Sequence, residues 1–261
     1  MPTGSILDAY VRSAPSAQNA VDIFKGEWAS QFPAALSVPV QAGGIPLFED
    51  GRIIDAIQQF GGVEGMRVLE LGPLEGAHSY MMELYGAASV TAVESNTRAY
   101  LKCLIAKEIL NLQRVKFLCG DFVEYLKATP EHFDLILANG VLYHMRNPVE
   151  LLSLLAKHTD RLNMWTHYYD DRIKSDIHLR HKFTSSAPAE VDGFQHTLFR
   201  QEYQVSLDHP GFCGGSEDYS NWLSRADLLS CLSSFGFKDI RIDHEVPDHP
   251  HGPCFAIVAM K

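Results

Sequence analysis

The amino-acid sequence predicts an α/β domain in which helices cover both faces of a mostly parallel sheet of about seven strands. From residue 51 onwards, short apolar segments alternate with longer segments whose apolar residues recur at helical spacing. Strands that alternate with helices form parallel sheets, because each crossover helix returns the chain to the same end of the sheet. The first apolar segment also ends in a glycine turn, as is typical of the ligand-binding end of such sheets.

The predicted strands are short runs of apolar and β-branched residues. They cover residues 66–71, 89–93, 115–119, 133–138, 161–166, 240–245 and 255–260. Helices fill the intervals between them. The first helix ends at residue 60, where Gly61 and Gly62 follow, and the second covers about residues 77–84.

Three later helices begin at residues that commonly cap helix N-termini. Asn96 precedes apolar residues at helical spacing, and Asn147 is followed by Pro148, which suits the first helical position. Ser224 opens the last helix, with Asp227 three residues later in a pattern similar to a capping box. These caps predict where the three helices start.

The chain is predicted to have three parts. Residues 1–50 form an N-terminal helical arm that prolines and glycines interrupt, and residues 51–261 form one ligand-binding domain. Residues 170–221 interrupt the alternation of strands and helices with polar and aromatic residues, and we interpret them as a lid inserted over the substrate. Trp222, directly after this segment, is expected to pack the lid onto the domain.

The composition disfavours nucleic acid as a partner, because 32 acidic residues outnumber 22 basic ones and give a formal net charge of −10. Proteins that bind phosphate backbones usually carry a basic patch. Basic clusters at 172–174 and 180–182 keep nucleic acid open as an alternative. No apolar run approaches the roughly 20 residues of a membrane helix, and no secretory signal begins the chain. We therefore expect a cytoplasmic protein with no membrane partner, and a homodimer is left open.

Metal sites and disulfides are not expected from the spacing of cysteines and histidines. Five cysteines lie far apart without a C-x-x-C pair: Cys103, Cys119, Cys213, Cys231 and Cys254. This spacing is typical of reduced thiols in a cytosol. The histidine pairs His178/His181 and His249/His251 each lack a third ligand at a suitable spacing, so we expect no functional metal.

The clearest ligand-binding motif follows the first predicted strand. Residues 68–79 read VLELGPLEGAHS, with Glu70 in the strand, Gly72 at its end and Gly76 at the start of the next helix. Glycines in such a turn let the backbone approach a ligand closely. The G-x-x-x-G spacing differs from the G-x-G-x-x-G cradle for a pyrophosphate, so NAD is disfavoured.

Acidic residues end the next two strands. Glu94 lies 22 residues after Gly72 (94 − 72), and a carboxylate at about this distance binds a ribose diol in dinucleotide-binding folds. The alternative for Glu94 is a solvated acid at a strand end. After the third strand, Asp121 can accept a hydrogen bond from an adenine amino group, and Phe122 can flank the base.

These segments, in this order, resemble the class I S-adenosyl-L-methionine (SAM)-dependent methyltransferases, which have a Rossmann-like fold. Residues 140–148, GVLYHMRNP, resemble more closely the tRNA wobble-uridine (carboxymethoxyuridine-forming) methyltransferase-like family, and so does FKGEW at 24–28. The resemblance covers residues 24–170 well and the helix at 222–237 more loosely. It implies that SAM is the cofactor.

The resemblance also implies roles for individual residues. Glu70, Gly72 and Gly76 would line the methionine part of SAM. The other implied cofactor-binding residues are Trp28 in the lead-in, Glu94 and Ser95 at the ribose, Asp121 and Phe122 at the adenine, and Asn139 and Tyr143 at the sulfonium.

Two departures from the family bear on the reaction. Residues 72–76 read GPLEG where many relatives have G-C-G-x-G, so one close-approach glycine is missing. The tRNA enzymes use a carboxylated SAM and hold its extra carboxylate with basic residues, one of them near the final strand. Here residues 252–255 read GPCF, without a cation. Together with the acidic net charge, this favours ordinary SAM and a smaller acceptor.

The catalytic candidates follow the fourth and fifth strands. Methyl transfer from a sulfonium is an in-line displacement that depends mainly on alignment, and a general base matters only when the acceptor arrives protonated. His144, His167 and Tyr168 lie at the end of the sheet where the ligand is expected. An imidazole usually titrates near neutral pH and can take a proton. Alternatively, His144 orients the Tyr143 loop, and His167 and Tyr168 only pack.

The leading hypothesis is a SAM-dependent methyltransferase that acts on an oxygen or nitrogen of a small molecule, of natural-product or glycan type. The runner-up is modification of the tRNA wobble uridine, which residues 140–148 favour and the net charge opposes. A non-catalytic SAM-binding regulator and an NAD-dependent oxidoreductase are rivals from other classes.

Overall fold

A seven-stranded sheet forms the centre of the molecule in the computed structural model, which describes residues 6–36, 39–209, 211 and 214–261. Its strands, with the numbers they have along the whole chain, are β1 Arg67–Leu71, β2 Ser89–Glu94, β3 Val115–Cys119, β4 Leu135–Leu137, β5 Arg161–His167, β9 Asp239–Val246 and β10 Cys254–Met260. They are arranged in the order β3-β2-β1-β4-β5-β10-β9. β1 to β5 are parallel, and β10 is antiparallel to both of its neighbours. The predicted fold class is confirmed.

Seven helices accompany the strands in the described part of the chain. They are α1 Ala17–Val21, α2 Gly51–Gln59, α3 Ala77–Leu84, α4 Thr97–Ile109, α5 Phe122–Ala128, α6 Pro148–His158 and α7 Arg225–Ser234. The side chains of Asn96 and Ser224 accept hydrogen bonds from the first-turn amides of α4 and α7, as predicted. Asn147 occupies the N-cap position of α6, but its side chain makes no capping bond.

The core has two main layers, one on each face of the sheet, because successive side chains of a strand point to opposite faces. Leu69 and Leu71 of β1 pack with residues of α5, α6 and α7. Val68 of β1 packs with residues of α2, α3 and α4 on the other face. Both faces of the sheet are therefore covered, which explains why central strands such as β4 and β10 are apolar along their length.

The N-terminal arm is anchored on α3 and α4. Its described part contains α1, three 3-10 turns at Ile6–Ala9, Asp22–Phe24 and Leu47–Glu49, and irregular chain. Buried arm residues Phe24, Trp28 and Phe48 pack around Ala77 of α3 and Ala106 of α4. The arm thereby adds a third, smaller core.

The inserted segment is a second sheet. Its strands β6 Phe183–Val191, β7 Phe194–Glu202 and β8 Tyr219–Trp222 are antiparallel and lie in the order β6-β7-β8. These strands were not predicted, because β6 reads FTSSAPAEV, with small polar residues and a proline typical of an edge strand. The remaining 3-10 turns are Leu142–His144, Asp171–Ser175, Arg180–Lys182 and Gln204–Asp208.

Four of the five cysteines lie among the described residues. Cys103, Cys119, Cys231 and Cys254 are free thiols. Cys213 lies outside the described residues. Within the described ranges, no helix is both long and apolar enough to cross a bilayer.

Candidate active site

A cavity of about 590 Å³ lies at the carboxyl ends of the parallel strands. Residues at or just after the ends of β1, β2, β3 and β4 line this cavity. The chain passes from β1 to β2 towards one side of the sheet and from β4 to β5 towards the other side, so the strand order reverses between β1 and β4. Open α/β sheets bind ligands at such a switch point. The structure brings together nine of the predicted site residues in this wall: Glu70, Gly72, Glu94, Ser95, Asp121, Phe122, Asn139, Tyr143 and His144.

The turn after β1 is shaped by left-handed backbone. Gly72 has a φ of +59°, and a Cβ on it would lie 2.7 Å from Val141 Cγ1. Leu74 occupies the position of the missing family glycine and has a φ of +55°, an uncommon conformation for a residue with a side chain. The turn therefore keeps its left-handed shape without the second glycine.

Gly76 has a different role from the one expected. It does not line the cavity. Its φ of +79° starts α3, and a Cβ on it would lie 2.8 Å from Cζ of Phe117 in β3. Gly76 therefore allows α3 to pack closely on the sheet and does not bring backbone close to a cavity ligand.

Glu94 is held at the edge of the cavity by two backbone amides. Leu74 N–H donates to its Oε2 at 3.1 Å, and Asn96 N–H donates to its Oε1 at 2.8 Å. Burial raises the pKa of Glu94, and these two hydrogen bonds oppose the rise. The carboxylate is thus oriented, with lone pairs left for hydroxyl donors.

Asp121 and Asn139 complete the cavity floor. Asp121 caps α5, because its Oδ1 accepts from Val123 N–H at 2.7 Å and from Glu124 N–H at 3.2 Å. Asn139 Nδ2 donates to Asn163 Oδ1 at 2.7 Å. Both side chains are fixed by neighbours while they line the cavity.

Polar and charged side chains contact Glu70 and one another in series. The Ser79 hydroxyl donates to its carboxylate, and His78 Nδ1 lies 3.7 Å from Glu70 Oε1. His78 Nε2 lies 3.1 Å from Asp50 Oδ2, and Asp50 in turn pairs with Arg52. Burial raises the pKa of Glu70, although the neighbouring His78 opposes it.

Asp50 is the anionic link of this series. Burial by itself would raise its pKa, but hydrogen bonds from His78 and Arg52 lower the pKa below its ordinary value. Its side chain also caps α2 by accepting from Arg52 N–H. His78 and Arg52 both line the cavity, so a cation faces it despite the absence of one at 252–255.

The other half of the cavity is aromatic. Tyr143 stacks obliquely on His144 at 4.1 Å between ring centroids and meets Trp165 edge-on at 5.8 Å. His144 Nδ1 lies 2.7 Å from the Tyr203 hydroxyl. Burial lowers the pKa of His144 to about 3, far below the near-neutral value expected from the sequence. His144 is therefore neutral at pH 7 and a weak proton acceptor.

Comparisons with known proteins agree on one family. Residues 63–190 match the family model described as a methyltransferase domain. The tRNA U34 carboxymethyltransferase of Chromohalobacter salexigens is 27% identical over 197 residues, which are 71% of this chain and 48% of that protein. The enzyme of the same name from Pseudomonas fluorescens is 34% identical over 93 residues, 36% of this chain and 29% of that protein. The chain spans about half or less of the length of these curated relatives.

Solved structures show the same fold. The N-terminal domain of EvdMO1, crystallised in the presence of SAH and D-fucose, superposes with a TM-score of 0.69 at 24% identity and covers 94% of both chains. The magnesium protoporphyrin IX methyltransferase ChlM of Synechocystis PCC 6803, with bound SAH, gives a TM-score of 0.53 at 16% identity over 80% of each chain. The chain therefore has the fold of the class I SAM-dependent methyltransferases, and its residues 63–190 are similar to the methyltransferase-domain family. SAM is the cofactor of that class.

Four of the predicted site residues lie outside the cavity wall of this methyltransferase domain, Gly76 among them. Trp28 is buried in the arm core and donates from Nε1 to the Val21 carbonyl at 2.9 Å. Tyr168 is only 1% exposed, and its hydroxyl donates to Glu245 Oε1 at 2.9 Å. Tyr168 is thus a core residue, which agrees with the packing alternative.

His167 is the fourth of these residues. Its ring is stacked on Trp222 at 5.2 Å and meets Tyr143 edge-on at 4.7 Å. Nδ1 donates to the Gly252 carbonyl at 2.7 Å. Burial lowers the pKa of His167 to about 4. His167 supports the aromatic wall from behind and does not line the cavity.

Several wall residues of the methyltransferase domain were not predicted. Arg52 lies in no local motif, His78 lies in the motif at 68–79 but was given no role, and Trp165 lies inside a strand that was interpreted only as core. The insertion contributes residues 214–217 to the wall. A Cβ on Gly215 would lie 2.4 Å from the His144 carbonyl oxygen, so the adjacent glycines at 214 and 215 were the available signal.

Proposed function

We propose that this protein transfers a methyl group from SAM to an oxygen or nitrogen of a small-molecule acceptor of natural-product or glycan type. The observation that carries the proposal is the two-part cavity. The carboxylates of Glu70, Glu94 and Asp121 line one part of the cavity. The rings of Tyr143, His144 and Trp165 line another part, the aromatic wall. The first half suits an adenosyl sulfonium, and the second suits a neutral acceptor.

The acidic half fits the chemistry of SAM. Glu94 is oriented to accept hydrogen bonds from the ribose hydroxyls, and Asp121 stands where an adenine amino group can donate to it. Glu70 adds a buried carboxylate near the turn. When bound, SAM supplies an electrophilic methyl group on a positively charged sulfur. Carboxylates near that charge favour binding in a cavity of low dielectric constant.

The aromatic half would align the acceptor. Tyr143 and Trp165 offer apolar surfaces, and Arg52 offers hydrogen-bond donors beside them. Alignment of the acceptor atom with the carbon–sulfur bond accounts for most of the catalysis that this mechanism needs. His144 lies in the same wall, and its low pKa suits a positioning hydrogen bond better than full proton removal.

Two observations support a small, glycan-type acceptor. The net charge of −10 disfavours a phosphate backbone. In addition, the structural neighbour EvdMO1 was crystallised in the presence of D-fucose as well as SAH. We infer from this neighbour that a sugar hydroxyl is the first acceptor to test.

A second candidate is modification of tRNA U34, because that is the activity in the names of the curated relatives. In this case the acceptor half would take a base extruded from a loop. Arg52 in the cavity wall would then face the extra carboxylate of a carboxylated SAM.

Calorimetry with S-adenosylhomocysteine tests the cofactor half. A Glu94→Gln variant loses charge-assisted hydrogen bonds of about 1.5–3 kcal/mol, so its affinity should fall roughly 10- to 150-fold. Glu64→Gln, at an exposed glutamate outside the cavity wall, is the matched control and should bind normally. Unchanged binding by Glu94→Gln, or thermal stabilisation by NAD instead, would contradict the proposal.

Radiolabelled methyl transfer then separates the acceptor classes. Wild-type enzyme is incubated with tritiated SAM and either D-fucose with related deoxysugars or unmodified tRNA. Label in the sugar supports the small-molecule proposal, whereas label in tRNA, or carboxymethyl groups in tRNA when carboxylated SAM replaces SAM, supports the second candidate. Tight SAH binding with no transfer into sugars, tRNA or a cell extract would indicate a non-catalytic regulator.

A further inference from the structure

Three potential metal ligands converge beside the acceptor half of the cavity. They are His167 at the end of β5, Cys254 at the start of β10 and His249 in the loop before β10. One ligand atom from each side chain lies within 4.8 Å of the other two. Of these three residues, the sequence pointed only to His249, through the pair His249/His251, and the fold brings His167 and Cys254 to it.

The sheet itself brings two of the ligands together. His167 and Cys254 are directly paired in the antiparallel β5–β10 ladder. Directly opposed residues point to the same face, with their Cβ atoms about 4.5–5.5 Å apart. This separation is suitable for two side chains that share one ion.

The loop before β10 supplies the third ligand. Gly252 N–H donates to the His249 carbonyl at 2.9 Å, which closes a turn over the sheet edge. A Cβ on Gly252 would lie 2.8 Å from the Trp222 ring, so only glycine permits this close approach. The turn therefore holds His249 above His167, with 5.2 Å between the ring centroids.

The orientation of His167 suits ligation. Its Nδ1 donates to the Gly252 carbonyl at 2.7 Å, which leaves the Nε2 lone pair available. Metal-binding histidines usually donate their other ring nitrogen to a carbonyl or carboxylate in this way. His249 is half-buried and adjustable. Its Nδ1 accepts from His251 N–H at 3.2 Å, and rotation of the ring can present either nitrogen to an ion.

The donor set points to zinc. One thiolate and two imidazoles form a soft, nitrogen- and sulfur-containing set, with no carboxylate in the cluster that would favour Mg²⁺ or Ca²⁺. Catalytic zinc sites usually have three protein ligands with water in the fourth position, whereas structural sites usually have four, so water would complete the coordination here. Binding breaks the S–H bond of Cys254, forms a zinc–sulfur bond and releases one proton to solvent.

We propose that His167, His249 and Cys254 bind one zinc ion that supports the aromatic wall of the acceptor half from behind. The Trp165 ring lies 5.0 Å from the His167 ring and 6.4 Å from the His249 ring. Tyr143 lies 4.7 Å from His167. The ion holds these side chains in place, so the three ligands are positioning residues.

Metal content tests the site without any assay of methyl transfer. Wild-type protein, with its affinity tag removed, is dialysed against micromolar zinc, and bound metal is measured by plasma mass spectrometry. We expect about one zinc per chain in the wild type and loss of that zinc in Cys254→Ser and His249→Ala. Cys119→Ser and His132→Ala, which change an exposed thiol and a half-exposed imidazole elsewhere, should keep it.

A second readout identifies the ligands. Replacement of zinc by Co²⁺ should give a thiolate-to-cobalt charge-transfer band in the near ultraviolet that is absent from Cys254→Ser. Calorimetry with SAH shows whether each variant is folded, because the cofactor half is separate from the cluster. Substoichiometric zinc in the wild type, binding only at millimolar zinc, or full zinc retention by both ligand variants would overturn the proposal.

Discussion

A buried ion pair joins the N-terminal arm to the turn at 72–76, after β1. Glu75 is fully buried and accepts from Ala29 N–H at 3.0 Å, from Ser30 N–H at 2.7 Å and from Lys102 Nζ at 2.6 Å. Lys102 also donates to the Glu27 carbonyl at 2.8 Å. Because Glu75 lies in the turn at 72–76, this pair couples the arm to the cavity wall.

Removal of one partner should be costly. Glu75→Gln keeps the shape of the side chain and one acceptor oxygen, but it leaves the Lys102 charge uncompensated with its side chain only 7% exposed. Loss of one partner of such a buried pair costs about 3–5 kcal/mol. Domains are stable by only about 5–15 kcal/mol, so the variant should be marginally stable.

A double variant distinguishes charge from packing. In Glu75→Gln/Lys102→Met no charge is left unpaired, and the remaining loss comes mainly from one unsatisfied amide, about 1–3 kcal/mol. The double variant should therefore be more stable than Glu75→Gln alone. Urea unfolding at pH 7.5 measures each free energy of unfolding, with Asp171→Asn in an exposed pair as the control.

A loss of less than about 1 kcal/mol in Glu75→Gln, the range of exposed ion pairs, would refute the role of Glu75 as one partner of a buried pair. The single variant Lys102→Met completes the cycle. If the losses in free energy of unfolding of Glu75→Gln and Lys102→Met simply add in the double variant, the two side chains do not interact, because interacting groups must show coupling. SAH affinity provides a second readout. We expect weaker SAH binding in Glu75→Gln, since the turn loses its attachment to the arm.

Three further predictions follow from the cavity wall. His144 has a pKa of about 3 when folded and near 6.5 when unfolded, so only the unfolded state gains its proton as the pH falls from 6.5 to 3. Because of this group, the free energy of unfolding should fall over that range by at most about 1.4 kcal/mol per pH unit. It should fall less steeply in His144→Gln. An equal change of the urea midpoint between pH 7 and pH 5 in the wild type and in His144→Gln would contradict this. Gly72→Ala places a Cβ 2.7 Å from Val141 in left-handed backbone and should cost about 2 kcal/mol in urea unfolding, whereas Gly120→Ala, in open space, should be nearly neutral. Gly215→Ala should displace residues 214–217 and raise the acceptor KM while SAH affinity is unchanged; an unchanged KM would argue against their contact with the acceptor.

Local patterns determined most of the central fold. The predicted helix at 77–84 and the predicted strand at 115–119 have the observed bounds, and the caps at Asn96 and Ser224 form as expected. These features depend on neighbours within a few residues, such as the amides of a first helical turn. They can therefore be inferred from apolar periodicity and capping residues alone.

The cofactor half of the cavity was predictable for the same reason. Gly72, Glu94 and Asp121 lie at or just beyond the ends of β1, β2 and β3, and parallel strands bring their carboxyl ends to one edge of the sheet. Once the strand order is recognised, residues at these ends must be neighbours. The acceptor half was less predictable because part of its wall comes from the insertion, whose strands lack a clear apolar alternation.

Long-range packing decided what each remaining side chain does. Gly76 faces Phe117 instead of the cavity, Tyr168 enters the core, and His167 turns towards residues 249–254. The pairing of Glu75 with Lys102 joins positions 27 residues apart along the chain. Such contacts depend on how helices and loops pack across the sheet, which periodicity does not record. The sequence alone therefore determined the central sheet and the residues at the carboxyl ends of its strands, whereas only the tertiary structure decided which charged and aromatic groups meet there.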